Sequence, residues 1–103
     1  MIDFEDEFIS VTHEYLSASA ALAEATSLCE DDPVKQDMIA FIQPDFIKMC
    51  ARSEGIRLMA EKSYIENRNF ILEEMKEVTI LNLEMAQKIK HKLTQLDDLC
   101  TLI

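Results

Sequence analysis

The residues of this chain whose types could do chemistry are two histidines, three cysteines and twenty carboxylates, so metal binding, thiol chemistry and acid–base catalysis are weighed first. Tetrahedral zinc takes Cys and His ligands at short paired spacings, because each pair must come from one turn or loop. Cys29, Cys50, Cys100, His13 and His91 offer no such pair. A carboxylate-bridged diiron centre needs Glu-x-x-His on facing helices, and that spacing does not occur. Glu73, Glu74, Glu77 and Glu84 fall mostly outside the apolar stripe of their segment and read as a solvated helix face, where nothing tunes a carboxyl for proton transfer. The single glycine, Gly55, cannot build a phosphate-cradling loop, and there is no G-x-S-x-G elbow. These absences predict no enzyme, no metal and no cofactor.

His91 is followed by Lys92-Leu93-Thr94 and His13 by Glu14-Tyr15-Leu16. In size and helicity the chain resembles helical phosphotransfer domains, whose phosphorylated histidine is followed by a Lys and a Gly that hold the phosphoryl group. Thr94 and Leu16 stand where that Lys would be, which leaves a histidine phosphotransfer domain as a remote alternative and a solvated surface role as the reading of both rings.

An odd number of cysteines without a C-x-x-C motif, and no basic-then-apolar leader, predict buried structural thiols and a reducing, cytoplasmic setting. No apolar run approaches the roughly 20 residues that span a bilayer.

The net charge is −10, from 10 basic and 20 acidic residues, and it is lopsided. Residues 1–37 carry ten acids and only Lys35, whereas residues 38–103 carry ten acids and nine bases. Such a chain repels nucleic acid and anionic lipid and is steered toward basic partners. Lys88, Lys90 and Lys92 form the one basic cluster. In an up-down-up arrangement they lie level with Glu24 and near Glu30-Asp31-Asp32, which predicts salt bridging rather than anion binding.

The elements that must position these residues are helices. With 103 residues, 49% of them hydrophobic, one Gly and two Pro, the chain is a single helical domain over 1–103 with room for one core. A compact fold of this mass would expose roughly 5,900 Å². Phe4, Phe8, Val11, Tyr15, Ala18, Leu22, Ala25 and Cys29 step by 4 and 3 and predict a helix over about 4–29. Asp3 stands at its N-cap position, and Glu5, Asp6 and Glu7 put negative charge on the positive end of its dipole. Asp32 and Pro33 start a second helix over about 34–66. Its stripe from Ile39 through Ile42, Met49 and Ile56 keeps phase across Pro44, so the helix is expected to be kinked or broken near Pro44. Asn67-Arg68-Asn69 supplies a C-cap and a new N-cap, placing the second turn there, with Gly55 as the other candidate. Leu72, Met75, Thr79, Asn82, Ala86, Ile89 and Leu93, running on to Cys100 and Ile103, predict a third helix over 69–101. The fold class is therefore all-α: an antiparallel three-helix bundle or elongated helical hairpin with coiled-coil-like heptads.

The anomaly is surplus apolar surface. Val78, Ile80, Leu81, Leu83, Met85 and Ala86 cover nearly the whole circumference of their helix at about 100° per residue, leaving Ile80 and Leu83 without a home between two neighbours. Ile9 and Leu16 lie beside the main stripe of the first helix, and Ile2, Phe4 and Phe8 crowd its start. Unhoused apolar faces mark partner surfaces. Met38, Met49, Met59, Met75 and Met85 add adaptable side chains to such contacts. The sequence thus predicts a small acidic interaction module, an adaptor, scaffold or chaperone-like subunit. Ile9, Leu16, Ile80, Leu83, Phe4 and Phe8 are its anchors, and Glu5, Asp6, Glu7, Lys88, Lys90 and Lys92 its electrostatic groups. It pairs with itself or with a helical, basic partner, without binding nucleic acid or inserting in a membrane. The alternative is an acidic inhibitor that occupies a basic, nucleic-acid-binding site. In size, charge and helicity the chain resembles small acidic secretion chaperones and short subunits of trafficking complexes; the likeness is one of composition and rests on no motif.

Overall fold

The computed structural model describes residues 3–102, and expectations placed on Ile2 and Ile103, or on the side chains of Met38 and Cys100, lie outside the described residues. The chain is all-α, with no strand among the described residues. Its elements are α1 (Phe4–Ser27), α2 (Pro33–Met38), a 3-10 turn (Ala40–Ile42) and α3 (Gln43–Leu102).

α1 begins after Asp3, which has extended dihedrals and whose carbonyl accepts from Glu7 N at 3.0 Å; its side chain makes no capping bond. Glu5, Asp6 and Glu7 occupy the first turn, where the unpaired N–H groups favour negative charge. The helix ends at Ser27, two residues before the expected Cys29. Thr26 and Ser27 donate their hydroxyls back to Ala23 O and Glu24 O at 2.9 and 2.7 Å, a local bonding pattern these residue types favour at helix ends.

Asp32 caps α2 as its residue type predicts, its Oδ1 accepting from Val34 N at 3.0 Å and Lys35 N at 3.4 Å. The helix expected over 34–66 is not continuous. Ile39 leaves the helical region at φ −98° and ψ 4°, a single 3-10 turn follows, and a new helix starts at Gln43. Pro44 is therefore the second residue of α3, where its missing N–H would have had no partner within the helix and its ring follows a 3-10 turn, not a continuous α-helical one. The proline starts a helix instead of bending one.

A straight helix the length of α3 would measure about 90 Å, yet the longest dimension of the molecule is 57 Å. The chain folds back at Ser63, whose φ −164° and ψ 84° are the only non-helical dihedrals in α3. Arg52 Nε consequently meets Glu74 Oε1 at 2.5 Å. The turn expected at Asn67-Arg68-Asn69 is absent, since all three are helical. Asn67 serves the true reversal by donating from Nδ2 to Ser63 O at 3.0 Å. Ser63-Tyr64-Ile65-Glu66 carries the S-x-x-E spacing of a helix start.

α1 lies along both arms of α3. Thr12 approaches Met75 and Ser19 approaches Asn82, at 3.9 and 3.2 Å, so α1 and the arm after Ser63 advance in step. Phe8 meets Tyr64 edge-on, with centroids 5.3 Å apart, at the reversal end. The core has two parts. Near the reversal Val11, Ile56, Ile71, Leu72, Met75 and Val78 pack together, with Phe4, Phe8 and Tyr15 against them. At the far end α1 and both arms contribute Leu22, Ala25, Cys29, Ile42, Met49, Met85 and Ile89. Between the two parts sit buried Thr79, bonded to Met75 O at 2.7 Å, and buried Asn82, bonded to Ser19. The accessible surface is 7254 Å², above the compact expectation of roughly 5,900 Å², because the molecule is elongated, 57 × 28 × 17 Å.

Candidate functional site

The chemistry-bearing side chains do not converge. His91 is exposed, with its ring 3.3 Å from Gln95 Nε2. His13 is exposed at the edge of a shallow groove between α1 and the second arm, shared with Glu14, Ser17, Thr79 and Leu83. Among the described residues no three His, Cys, Asp or Glu side chains gather as a metal site would need. Cys29 is buried and its thiol is pushed up by desolvation. Cys50 is exposed, which corrects the expectation of a buried thiol there; it lies on the flank of the first arm, one residue past buried Met49.

The charged groups do local work. Glu7 accepts from Lys76 Nζ at 2.8 Å, tying the start of α1 to the second arm, and Lys76 also reaches Glu73 at 3.2 Å. Both contacts raise the Lys76 pKa, Glu7 more than Glu73. Arg52 forks between Glu74 and Glu77, each at 2.5 Å, and its hydrogen bond holds the Glu74 carboxyl below the usual carboxylate range. Glu5 and Asp6 are exposed in the first turn of α1. None of the ion pairs among the described residues involves Lys88, Lys90 or Lys92. Lys88 lines a groove between the arms of α3 with Asp45 and Glu84, Lys90 is exposed, and Lys92 sits over the Phe41 ring at 5.7 Å. In the acidic turn at 30–32 the Asp32 carboxylate caps α2, and the main-chain carbonyl of Glu30 accepts from Gln36 Nε2.

The apolar candidates divide into two groups. Phe4 and Phe8 are half-buried, their rings tilted by 34° with centroids 5.9 Å apart, and packed on the core cluster, with Arg68 lying 5.0 Å over Phe4. They are spent inside the fold. Ile9, Leu16, Ile80 and Leu83 are exposed by 57, 58, 58 and 44%. On α1, Ile9 and Leu16 lie roughly 150° around the helix from Val11 and Ala18, hence on the side away from the core. Ile80 stands at a similar angle from the buried face of the second arm, while Leu83 flanks the groove beside His13 and Ser17.

A further outward set was not legible from the stripes alone: Ile47 and Leu58, eleven residues apart on the back of the first arm, and Ile65 just past the reversal are all exposed. The spacing of 11 puts Ile47 and Leu58 on one side of the first arm, a signal overshadowed by the stronger core stripe through Ile42, Met49 and Ile56; Ile65 belongs to the second arm, beyond the reversal. Between α1 and the first arm runs a cleft of about 530 Å³. Leu22, Phe46 and Met49 line it, and the small side chains Ser19 and Ala23 leave it unfilled.

Compared with known proteins, the chain matches no family model, no curated relative and no solved structure. No helix among the described residues is long and apolar enough to cross a membrane.

Proposed function

We propose that this chain is a non-enzymatic protein–protein interaction module, an adaptor, scaffold or chaperone-like subunit built as an antiparallel three-helix bundle with coiled-coil-like seams. The observation that carries the reading is the exposure of Ile9, Leu16, Ile80 and Leu83, all about half open to solvent on helices that already own a buried face. Apolar side chains at helical spacing on a rigid helix are the anchors of helix-on-helix recognition, where burial supplies the free energy and the rim supplies selectivity. The first 37 residues bring ten acids and a single Lys, which speeds encounter with a basic partner and makes that encounter weaken with salt. Phe4 and Phe8 support this surface from beneath rather than forming it.

The test is capture from the host with the full chain, alongside two double variants, Ile9→Glu/Leu16→Glu and Ile80→Glu/Leu83→Glu, with light scattering and thermal unfolding of each. The reading expects a stoichiometric helical partner, or a second copy, that one double variant loses while its melting stays that of the parent. Parent and variants behaving as the same partner-free monomer would overturn it.

A further inference from the structure

We propose that α3 straightens at Ser63 and that two copies of the chain then exchange arms, forming a dimer that rebuilds between copies each contact the arms now make within one. The exchange uses the buried faces of the helices, not the outward residues of the interaction surface, so it stands or falls independently of that reading.

Three observations carry it. The reversal is made by one residue, where helical hairpins ordinarily spend two to five. Its φ of −164° is ordinary extended backbone, so no conformational lock holds it. No Gly or Pro occurs anywhere in residues 56–102, and the local turn signals are Ser63 with Glu66 and the Asn67 bond to Ser63 O. A stretch rich in good helix formers, Ala60-Glu61-Lys62, leads into it. The fold-back is thus held mainly by tertiary contacts, and short hinges of this kind invite exchange.

The second observation is phase. At about 100° per residue, buried Met49 and Ile56 before Ser63 and buried Ile71, Val78, Met85 and Ile89 after it fall within roughly 60° of one another around an uninterrupted helix, as one edge of a wider buried face of the second arm that also takes in Leu72, Met75, Thr79 and Ala86. A hairpin does not require this, because its turn sets the rotation of each arm independently. A straight α3 does require it, since one helix face must then serve both arms.

The third is symmetry and exposure at the reversal. Arg52 and Glu74, which pair across the arms, lie at equal sequence distance from Ser63, so a twofold axis there sets Arg52 of each copy against Glu74 of the other. Tyr64 is 41% exposed in the hairpin. On the straightened helix it falls on the same face as Val78 and Asn82, directed at the second copy, so the exchange covers the part of the ring that its edge-on contact with Phe8 leaves exposed.

The experiment measures mass by light scattering across protein concentrations for the parent chain, for Ser63→Ala and for a chain with Gly-Ser-Gly inserted after Ser63, with circular dichroism to verify helicity. Installing a better helix former in each of two copies should tighten dimerisation about fivefold, and the longer loop should give a monomer at every concentration. To separate exchange from face-to-face pairing, Arg52→Cys/Glu74→Cys is made with Cys50→Ser and Cys100→Ser, and treated with a short bis-maleimide, which adds one cysteine thiol at each end. The dimer fraction should give covalently joined chains and the monomer fraction intrachain links only. A Ser63→Ala chain that stays monomeric, or a dimer whose cross-links are all intrachain, would overturn the proposal.

Discussion

Arg52 and Glu74 stand eleven residues before and after Ser63 and meet at 2.5 Å, with Glu77 taking the second arm of the guanidinium at the same distance. A planar fork with two carboxylates fixes the rotation of one arm of α3 against the other, which a single lysine could not do. Glu74 is the less exposed acid of the two, at 18% of its side chain against 67% for Glu77, and carries more of the interaction.

The sign of its pH dependence follows. The bond from Arg52 lowers the Glu74 pKa in the folded chain below the ordinary 4.5. The stabilisation is therefore complete above the ordinary value and is lost as pH falls through the depressed one. Glu74→Gln should cost about 1 kcal/mol at pH 7. Thermal melts from pH 7 to pH 3 should show the parent and variant curves converge only at the acid end; a constant gap would refute the assignment.

Ile89 is fully buried at the meeting of both arms and α1, whereas Ile80, nine residues earlier on the same arm, is more than half exposed. Ile89→Ala should destabilise by about 2–5 kcal/mol and lower the melting temperature by more than about 8 °C. Ile80→Ala should stay within about 0.5 kcal/mol of the parent. Denaturant unfolding of the two variants side by side reads the contrast.

Gly55 is helical, has no positive φ, and a Cβ built on it meets nothing within 4 Å. Its flexibility therefore serves no packing need inside the chain. Gly55→Ala should stabilise by about 1 kcal/mol. A loss of stability in urea titration would mean that the open space beside Gly55 is filled in solution.

The free thiols Cys29 and Cys50 should separate in reactivity. Cys50 is exposed on the first arm, while Cys29 is 1% exposed, desolvated and bonded through Sγ to Ala25 O. Under native conditions an alkylating reagent followed by peptide mass analysis should modify Cys50 first, with Cys29 reacting on the timescale of local unfolding. Equal rates would show that the end of α1 opens readily.

Much of the local structure was legible because local physics decides it. Asp32 with Pro33 marks the start of α2, and the apolar steps from Phe8 to Leu22 mark a helix that has to bury one side. The break before Pro44 was half legible: the proline announced an interruption, but the unbroken phase of Ile39, Ile42 and Met49 concealed that a 3-10 turn could bridge it. The reversal was misplaced for the same reason. Asn67-Arg68-Asn69 looks like a turn by composition, whereas Ser63 lies inside a stripe whose phase runs straight through, and only the contact of residues near 52 with those near 74 forces the chain to fold there. The outward position of Ile80 and Leu83 followed from counting sides around a helix. Lys88, Lys90 and Lys92 misled because level with an acidic turn is not the same as facing it: Lys88 points between the arms of α3 and Lys92 covers Phe41.

The shape has a practical bearing on how the molecule behaves in flow. Its radius of gyration is 16.6 Å, against about 13 Å for a compact chain of this length. A rod 57 Å long and 17 Å across its thinnest side tumbles slowly and meets more friction than a sphere of equal mass. A single copy will thus leave a size-exclusion column early, as a larger globule would, yet sediment slowly, as a lighter one would, so elution volume alone would report a dimer where there is one chain.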